Sequence, residues 1–356
     1  MDMLVKSERR RAAPRPAVKT VNLALQGGGA HGAFAWGVLD RLIEDGRIRF
    51  EGISATSAGA MNAAVLAQGW TAGGPEGARA ALQAFWRDIA ETGERCSPYR
   101  AMPWMRWMQS FGGFSLEHSP AYQWMEFLTR MFSPYQLNPL NFNPLRQVLE
   151  RHVDFERLRQ HSAVKLFLCA TNVQTCKVRI FSCADVSADA VLASACLPFM
   201  FQAVEIDGEP YWDGGYMGNP ALFPLIYDCA ARDVVIVHLN PIVRPGVPRT
   251  AGEILNRLNE VSFNSSLMRE MRAIVFVTGL IEQGQLSSRE FKQMLIHSIR
   301  ADEVMSGYDA SSKLNCDWDF LTELRDAGRA HAGQWLQQHF DALGVRSSVD
   351  LRAEFL

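Results

Sequence analysis

The feature that most constrains this chain is a pattern repeated near its start: a short apolar strand, a tight turn of small residues, then a helix, twice in succession. Val21 to Leu25 (VNLAL) is a mostly apolar run bounded by glycines and reads as a buried strand. Gln26, Gly27, Gly28, Gly29, Ala30, His31 and Gly32 follow. In the next segment, Ala33 to Glu44, residues Phe34, Val38, Leu39 and Leu42 lie on one helical stripe, and Gly46 can close the helix in the left-handed conformation. The second unit is Gly52 to Ala55 (GISA), the turn Thr56-Ser57-Ala58-Gly59, and the strong helix former Ala60 to Gln68.

The first turn is built to meet an anion, because consecutive glycines let backbone N–H groups converge at a helix N-terminus, where the helix dipole also favours negative charge. Two readings follow. Gly27, Gly29 and Gly32 match the dinucleotide fingerprint, with Glu51 about 20 residues on, which would make a nucleotide-binding oxidoreductase. Alternatively the turn is an oxyanion hole. Glu51 precedes the second strand instead of ending it, and a serine stands where a ribose-binding acid would be expected. Ser57 at the apex of a strand–turn–helix has the context of a nucleophile elbow, with Ala55, Ala58 and Gly59 as the small neighbours that a crowded turn needs. The usual first glycine of that elbow is Ala55 here. The plain alternative is that Ser57 is a helix N-cap.

A nucleophilic serine needs a base. Val204–Ile206 and Tyr211-Trp212 flank the hairpin dipeptide Asp207-Gly208, and Asp213-Gly214-Gly215 follows. Asp213 is the candidate acid, against the reading of a simple turn residue. His238 ends the apolar strand Val234–His238, so Ser57, Asp213 and His238 also stand in the chain order of an α/β-hydrolase triad. Lys165–Thr171 and Lys177–Ser182 supply two further strands, the second of them antiparallel. Strands alternating with helices make an α/β fold with a doubly wound, mostly parallel sheet.

Trp104 to Phe132 is dense in Trp, Met and Phe and is broken by Gly112-Gly113 and Pro120. It reads either as core helices or as an acyl-binding cap that touches lipid. Asn138–Pro144 is a turn-rich connector, and Pro144 opens a helix to Arg151. Beyond Arg249 the pattern is helical, over Ala251–Asn264, Ser265–Gln283, Ser288–Ile299 and Asp326–Leu343, with Arg257, Arg269 and Arg272 on a solvated face. The first 20 residues form a basic tail with Lys6, Arg9, Arg10, Arg11, Arg15 and Lys19, without the apolar stretch of a secretory signal. It is either disordered or a weak tether to anionic lipid. Charge is balanced, 36 Lys+Arg against 38 Asp+Glu, which gives no global case for nucleic-acid binding. Seven scattered Cys without C-x-x-C spacing fit a reducing compartment.

With GGGAHG at Gly27–Gly32, TSAG at Thr56–Gly59, ASACLPFMF at Ala193–Phe201 and DGG at Asp213–Gly215, the chain resembles the bacterial patatin-like phospholipases. The resemblance spans Val21 to about Ile226. It implies a three-layer α/β/α catalytic domain over 21–248, with the aromatic and Met-rich insertion at about 99–135 and a helical C-terminal extension over 249–356. It implies a lipid acyl hydrolase of phospholipase A or lysophospholipase type that needs no cofactor or metal. Its nucleophile would be Ser57, its base Asp213, and its oxyanion hole the turn containing Gly27, Gly28, Gly29 and Gly32. The substrate would be a phospholipid or another acyl ester, with no nucleic-acid partner, in a cytoplasmic protein that touches the membrane peripherally. The departure at Ala55 leaves open a catalytically weak lipid-binding or regulatory protein.

Overall fold

The computed structural model describes residues 18–96, 131–287, 289–308 and 310–356. The strands are β1 (Lys19–Leu25), β2 (Ile48–Ala55), β3 (Lys165–Asn172), β4 (Val178–Ser182), β5 (Val204–Ile206), β6 (Glu209–Asp213), β7 (Asp233–His238) and β8 (Leu295–Arg300). The helices are α1 (Gly32–Asp45), α2 (Ala58–Cys96), α3 (Pro134–Leu137), α4 (Pro144–His152), α5 (Phe155–His161), α6 (Ala188–Ser194), α7 (Phe223–Asp228), α8 (Ala251–Glu282), α9 (Asp302–Met305), α10 (Trp318–His339) and α11 (Leu351–Phe355). Helix α2 is broken at Gly73-Gly74 and restarts at Pro75.

The strands form one eight-stranded sheet in the order β5-β6-β3-β2-β1-β7-β8, with β4 also on β3. The pairs β3–β2, β2–β1, β1–β7 and β7–β8 are parallel, whereas β4, β5 and β6 join antiparallel. Chain order reverses around β1, whose neighbours are β2 and β7, so the turn that leaves β1 opens at a topological switch point, where open α/β sheets hold their ligands.

Successive residues of a strand point to opposite faces, and β7 shows it. Val235 and Val237 join the core under α1, α2, α4, α6 and α10, with Phe34, Phe85, Leu149, Leu192 and Leu324. Val234 and Ile236 join the second core under α7, α8 and α11, with Leu225, Leu267, Met271 and Phe355. Helix α10 lies so close on α1 that a Cβ at Gly37 would strike the Arg325 backbone, and one at Gly328 would strike that of Phe34.

Several expectations need correction. β1 starts at Lys19, two residues early, and Lys19 is no free tail cation: its ammonium donates to the carbonyls of Phe340 and Leu343, each at 2.9 Å. Residues 289–299 do not form a helix. The end of this segment forms β8, parallel to β7, with Leu295, Ile296, His297 and Ile299 buried. At the outer edge of β8 the N–H of Ile296 donates to Ser347 Oγ at 3.0 Å, and its carbonyl accepts from Ser348 N at 3.1 Å. Ala251 to Glu282 is a single helix, and α10 begins at Trp318 behind an Asp317 cap. Arg257 does not face solvent: its guanidinium donates to Pro241 O, Ile242 O and Glu260. Most of the basic tail and nearly all of the Trp104–Phe132 segment lie outside the described residues.

Candidate active site

Strand β2 ends at Ala55, and the chain turns sharply. Thr56 is locked by its N–H on Leu25 O (3.2 Å) and its hydroxyl on Gly218 O (2.6 Å). Ser57 then takes φ +55°, a left-handed backbone that costs a non-glycine residue energy and persists only where its surroundings enforce it. Its N–H is held by Ser194 Oγ at 3.0 Å, and its side chain stays partly exposed between buried neighbours. Room for the elbow comes from Gly27, where a Cβ would fall 2.6 Å from Ser57 Cβ, and from Gly59, where one would fall 2.5 Å from Leu25 O. Ala55 itself is an ordinary strand residue, registered against Leu25 and Leu168, and its φ is not positive. The strain sits at Ser57, so position 55 needs smallness and not glycine's backbone freedom.

Asp213 ends β6 and is 2% exposed. Its backbone is pinned by Asp213 N on Cys196 O (2.8 Å) and Thr171 Oγ1 on Asp213 O (2.9 Å). Its carboxylate accepts the Gly215 N–H at 2.7 Å. Burial pushes Asp213 up to about 6, against the opposing pull of the Gly215 amide, the Ser57 hydroxyl and the Lys313 ammonium. Ser57 thus lies near enough to act on the Asp213 carboxyl.

The four turn glycines divide in their use. The N–H of Gly27 already donates to Asn219 Oδ1 at 2.7 Å, so it is not free to meet a substrate oxygen. The N–H of Gly32 is used within its own turn, and a Cβ there would lie 2.7 Å from Ala58 Cβ: this glycine lets the starts of α1 and α2 approach. That leaves Gly28 and Gly29, whose N–H groups have no acceptor among the described residues. Gly29 has φ +58° and is covered by the Lys313 carbonyl, so no side chain fits there. Of the four glycines expected to form an oxyanion hole, Gly27 and Gly32 have their N–H groups engaged in holding the turn.

The competing assignments separate by location. His238 is buried, with Nε2 3.2 Å from Ser298 Oγ and its ring stacked on Phe355. Burial and Arg300 draw it down to about 3, so it is a neutral core histidine with no contact to Asp213. Glu51 accepts the N–H groups of Ala230 and Ala231, each at 2.7 Å, and pairs with Lys165: it tethers a loop and cannot read a ribose. His31 Nε2 lies 2.7 Å from Ser312 Oγ.

Sequence reasoning missed the supports. Beneath the glycine turn, Gln26 accepts from Leu239 N (2.8 Å) and Asn240 N (2.9 Å) and donates to Asn264 Oδ1 (3.1 Å). The Asn240 amide donates through Nδ2 to Gly27 O at 2.9 Å and accepts the Lys313 ammonium on Oδ1 at 3.0 Å. The one local signal was an excess of amides directly after apolar strands: Gln26 after β1 and Asn240 after β7.

Among the described residues, no cluster of His, Cys, Asp and Glu could hold a metal ion, and no helix is long and apolar enough to cross a membrane. Among the solved structures the chain resembles is VipD from Legionella pneumophila, at 15% identity and a TM-score of 0.44, over 91% of this chain and 68% of that one. No curated protein sequence matches it. The profile of the family described as patatin-like phospholipase matches residues 23–226, which run from β1 through both turns and Asp213 into α7. The chain belongs to the patatin-like phospholipase family.

Proposed function

We propose that this protein hydrolyses acyl esters of lipids with Ser57 as nucleophile and Asp213 as its base. The observation that carries the reading is a serine held at φ +55° whose hydroxyl acts on a buried carboxylate, beside two glycine amides with no acceptor among the described residues. Asp213 takes the Ser57 proton as Oγ attacks the ester carbonyl, and the amides of Gly28 and Gly29 receive the oxyanion. The Asp213 carboxylic acid then gives that proton to the departing alcohol, leaving an acyl-serine. Water repeats the cycle: Asp213 takes its proton, the hydroxide adds to the acyl carbon, and collapse returns the proton to Ser57.

Burial makes the dyad workable without a histidine. A free carboxylate near 3.9 is a poor base at neutral pH. Held at about 6, Asp213 stays mostly ionised at pH 7 and binds a proton more tightly. The apolar surroundings favour a lipid. Tyr135, Leu137, Leu140, Phe142, Phe199 and Met200 are exposed. Their two segments are joined by Gln202 Nε2 on Asn138 O (2.8 Å) and Ala203 N on Tyr135 Oη (3.3 Å). The second segment leads directly from Ser194 and Cys196, the partners of Ser57 and Asp213. Such a surface suits contact with the face of a membrane or a lipid dispersion.

The test is covalent labelling of the full chain with a fluorophosphonate, followed by mapping of the modified residue. Label on Ser57, lost in Ser57→Ala, supports the reading. Label elsewhere, or ester turnover by the purified Ser57→Ala protein, overturns it.

A further inference from the structure

One charged group in the site is unexplained by the dyad: the ammonium of Lys313. It is carried by the 3-10 turn Ala310–Leu314, beyond the segment that the family profile covers. That turn lies against the glycine turn. The Lys313 carbonyl covers Gly29, Ser312 Oγ meets His31 Nε2 at 2.7 Å, and Lys313 Nζ donates to Asn240 Oδ1 at 3.0 Å. Nζ also sits 6.0 Å from the centre of the Phe263 ring, which packs tightly on Gly215, two residues from Asp213.

Two acids feel this cation, Glu260 and Asp213. Glu260 is already matched twice, by Arg244 at 2.7 Å and Arg257 at 2.9 Å. Asp213 has no ion pair within 4.0 Å among the described residues, so Lys313 acts on it through space, in a partly desolvated region where charges couple strongly. The remaining groups that face Asp213 bring no charge of their own. Cys169 on β3 is pushed well above the usual thiol range by burial, and burial likewise pushes Cys196 and Tyr216 up to about 12. Ser57 and the Gly215 amide are neutral donors.

We propose that Lys313 is a positioning residue of the reaction, delivered by the C-terminal part of the chain: its ammonium keeps Asp213 ionised as the base for Ser57, and through Asn240 it braces the glycine turn. The inference rests on the Ser57–Asp213 reading. It explains how a carboxylate with no cationic contact stays usable as a base when buried. Burial and, more weakly, the Arg244 cation draw Lys313 down from the usual lysine range, while Glu260 and Asp213 hold it up, so the Lys313 and Asp213 charges sustain each other.

The experiment is kcat/KM for a soluble short-chain ester from about pH 5 to about pH 9, on the full chain, with melting temperature recorded for each variant. The variants are Lys313→Arg, Lys313→Gln, Lys313→Met and Asp213→Asn. Lys313→Gln keeps a donor for Asn240 but removes the charge, so its acid limb should move up by about one pH unit, a roughly tenfold loss below the limb and little loss above it. Lys313→Met should show the same shift, and Lys313→Arg should keep the limb in place. An unmoved limb in Lys313→Gln, or a loss uniform with pH and accompanied by a lower melting temperature, overturns the inference. If Asp213→Asn is inactive while the Lys313→Gln limb is unmoved, only the role of Lys313 fails. If Asp213→Asn is as active as the parent, the dyad fails and the role of Lys313 with it.

Discussion

Asp213 and Asp233 are both buried carboxylates at strand ends, and they sit at opposite edges of one sheet. Asp233 begins β7, at the N-terminal edge of the parallel strands. Its Oδ1 accepts from His297 Nε2 at 2.9 Å and from Gly344 N at 2.7 Å, which ties β7, β8 and the chain after α10 together. Asp213 lies at the other edge, level with Ala170 near the end of β3, and its neighbours are one amide, one serine hydroxyl and a distant ammonium. On paper the Asp–His pair looks more like chemistry. In place it is a clasp, complete without a ligand. The acid left short of compensation, at the edge where the strands open, is the one proposed to exchange a proton. Burial alone does not mark a site; burial with unfinished pairing at the C-terminal edge does.

The comparison can be broken by substitution, and the largest expected effect is at the nucleophile. Ser57→Ala should lower ester turnover by on the order of 10³-fold or more, with folding preserved, measured on purified protein by steady-state kinetics.

Asp213→Asn should cost ~10²–10⁴-fold in kcat/KM. It should also do something that an ordinary core substitution does not. Because Asp213 is held above its unfolded value of 3.8, its contribution to stability is full below that value and is lost as pH rises through about 6. Asparagine escapes that loss, so the variant should be the more stable protein above about pH 7, by about 2–3 kcal/mol, with the gain vanishing below about pH 4. Urea unfolding at two pH values checks it.

Asp233→Ala should behave in the opposite way. It leaves the His297 ring and the Gly344 amide without their acceptor and should cost about 1–3 kcal/mol while kcat/KM holds within about threefold. A collapse of turnover with an intact melting curve would erase the distinction between the two acids.

His238→Ala should lower stability by about 1–3 kcal/mol through lost packing on Phe355 and leave kcat/KM within about threefold. The smallest effect belongs to Ala55→Gly. Since the strained residue is Ser57, glycine at 55 should add only strand entropy, about 0.5–1 kcal/mol of destabilisation, with kcat unchanged. A large change in kcat would move the strain to position 55.

The two turns, the hairpin at Asp207-Gly208 and the antiparallel β4 were legible because each is written in adjacent residues. Glycine, Ser57 and Asp213 announce tight backbone geometry locally. β8 was misread because Leu295, Ser298 and Ile299 fit a helical stripe as well as a strand, and only the open side of β7 decides between them. The engagement of the glycine-turn amides was illegible for a similar reason. Which of four glycine amides is free depends on Asn219, a residue far along the chain. Ser194 and Lys313 were unreadable as site residues, since nothing near either of them in sequence shows what it will face.

The outer side of β8 has a consequence of its own. A terminal strand of a sheet offers a row of unsatisfied peptide groups to any other extended chain, and that is how folded proteins seed ordered aggregates. Here the rung at Ile296 is closed by Ser347 and Ser348, and α11 follows with Phe355 seated in the core below. The end of the polypeptide thus acts as a guard rail on a sheet margin that would otherwise be adhesive. For a protein proposed to work beside lipid surfaces, where local concentration is high, that guard keeps neighbouring copies from zipping together.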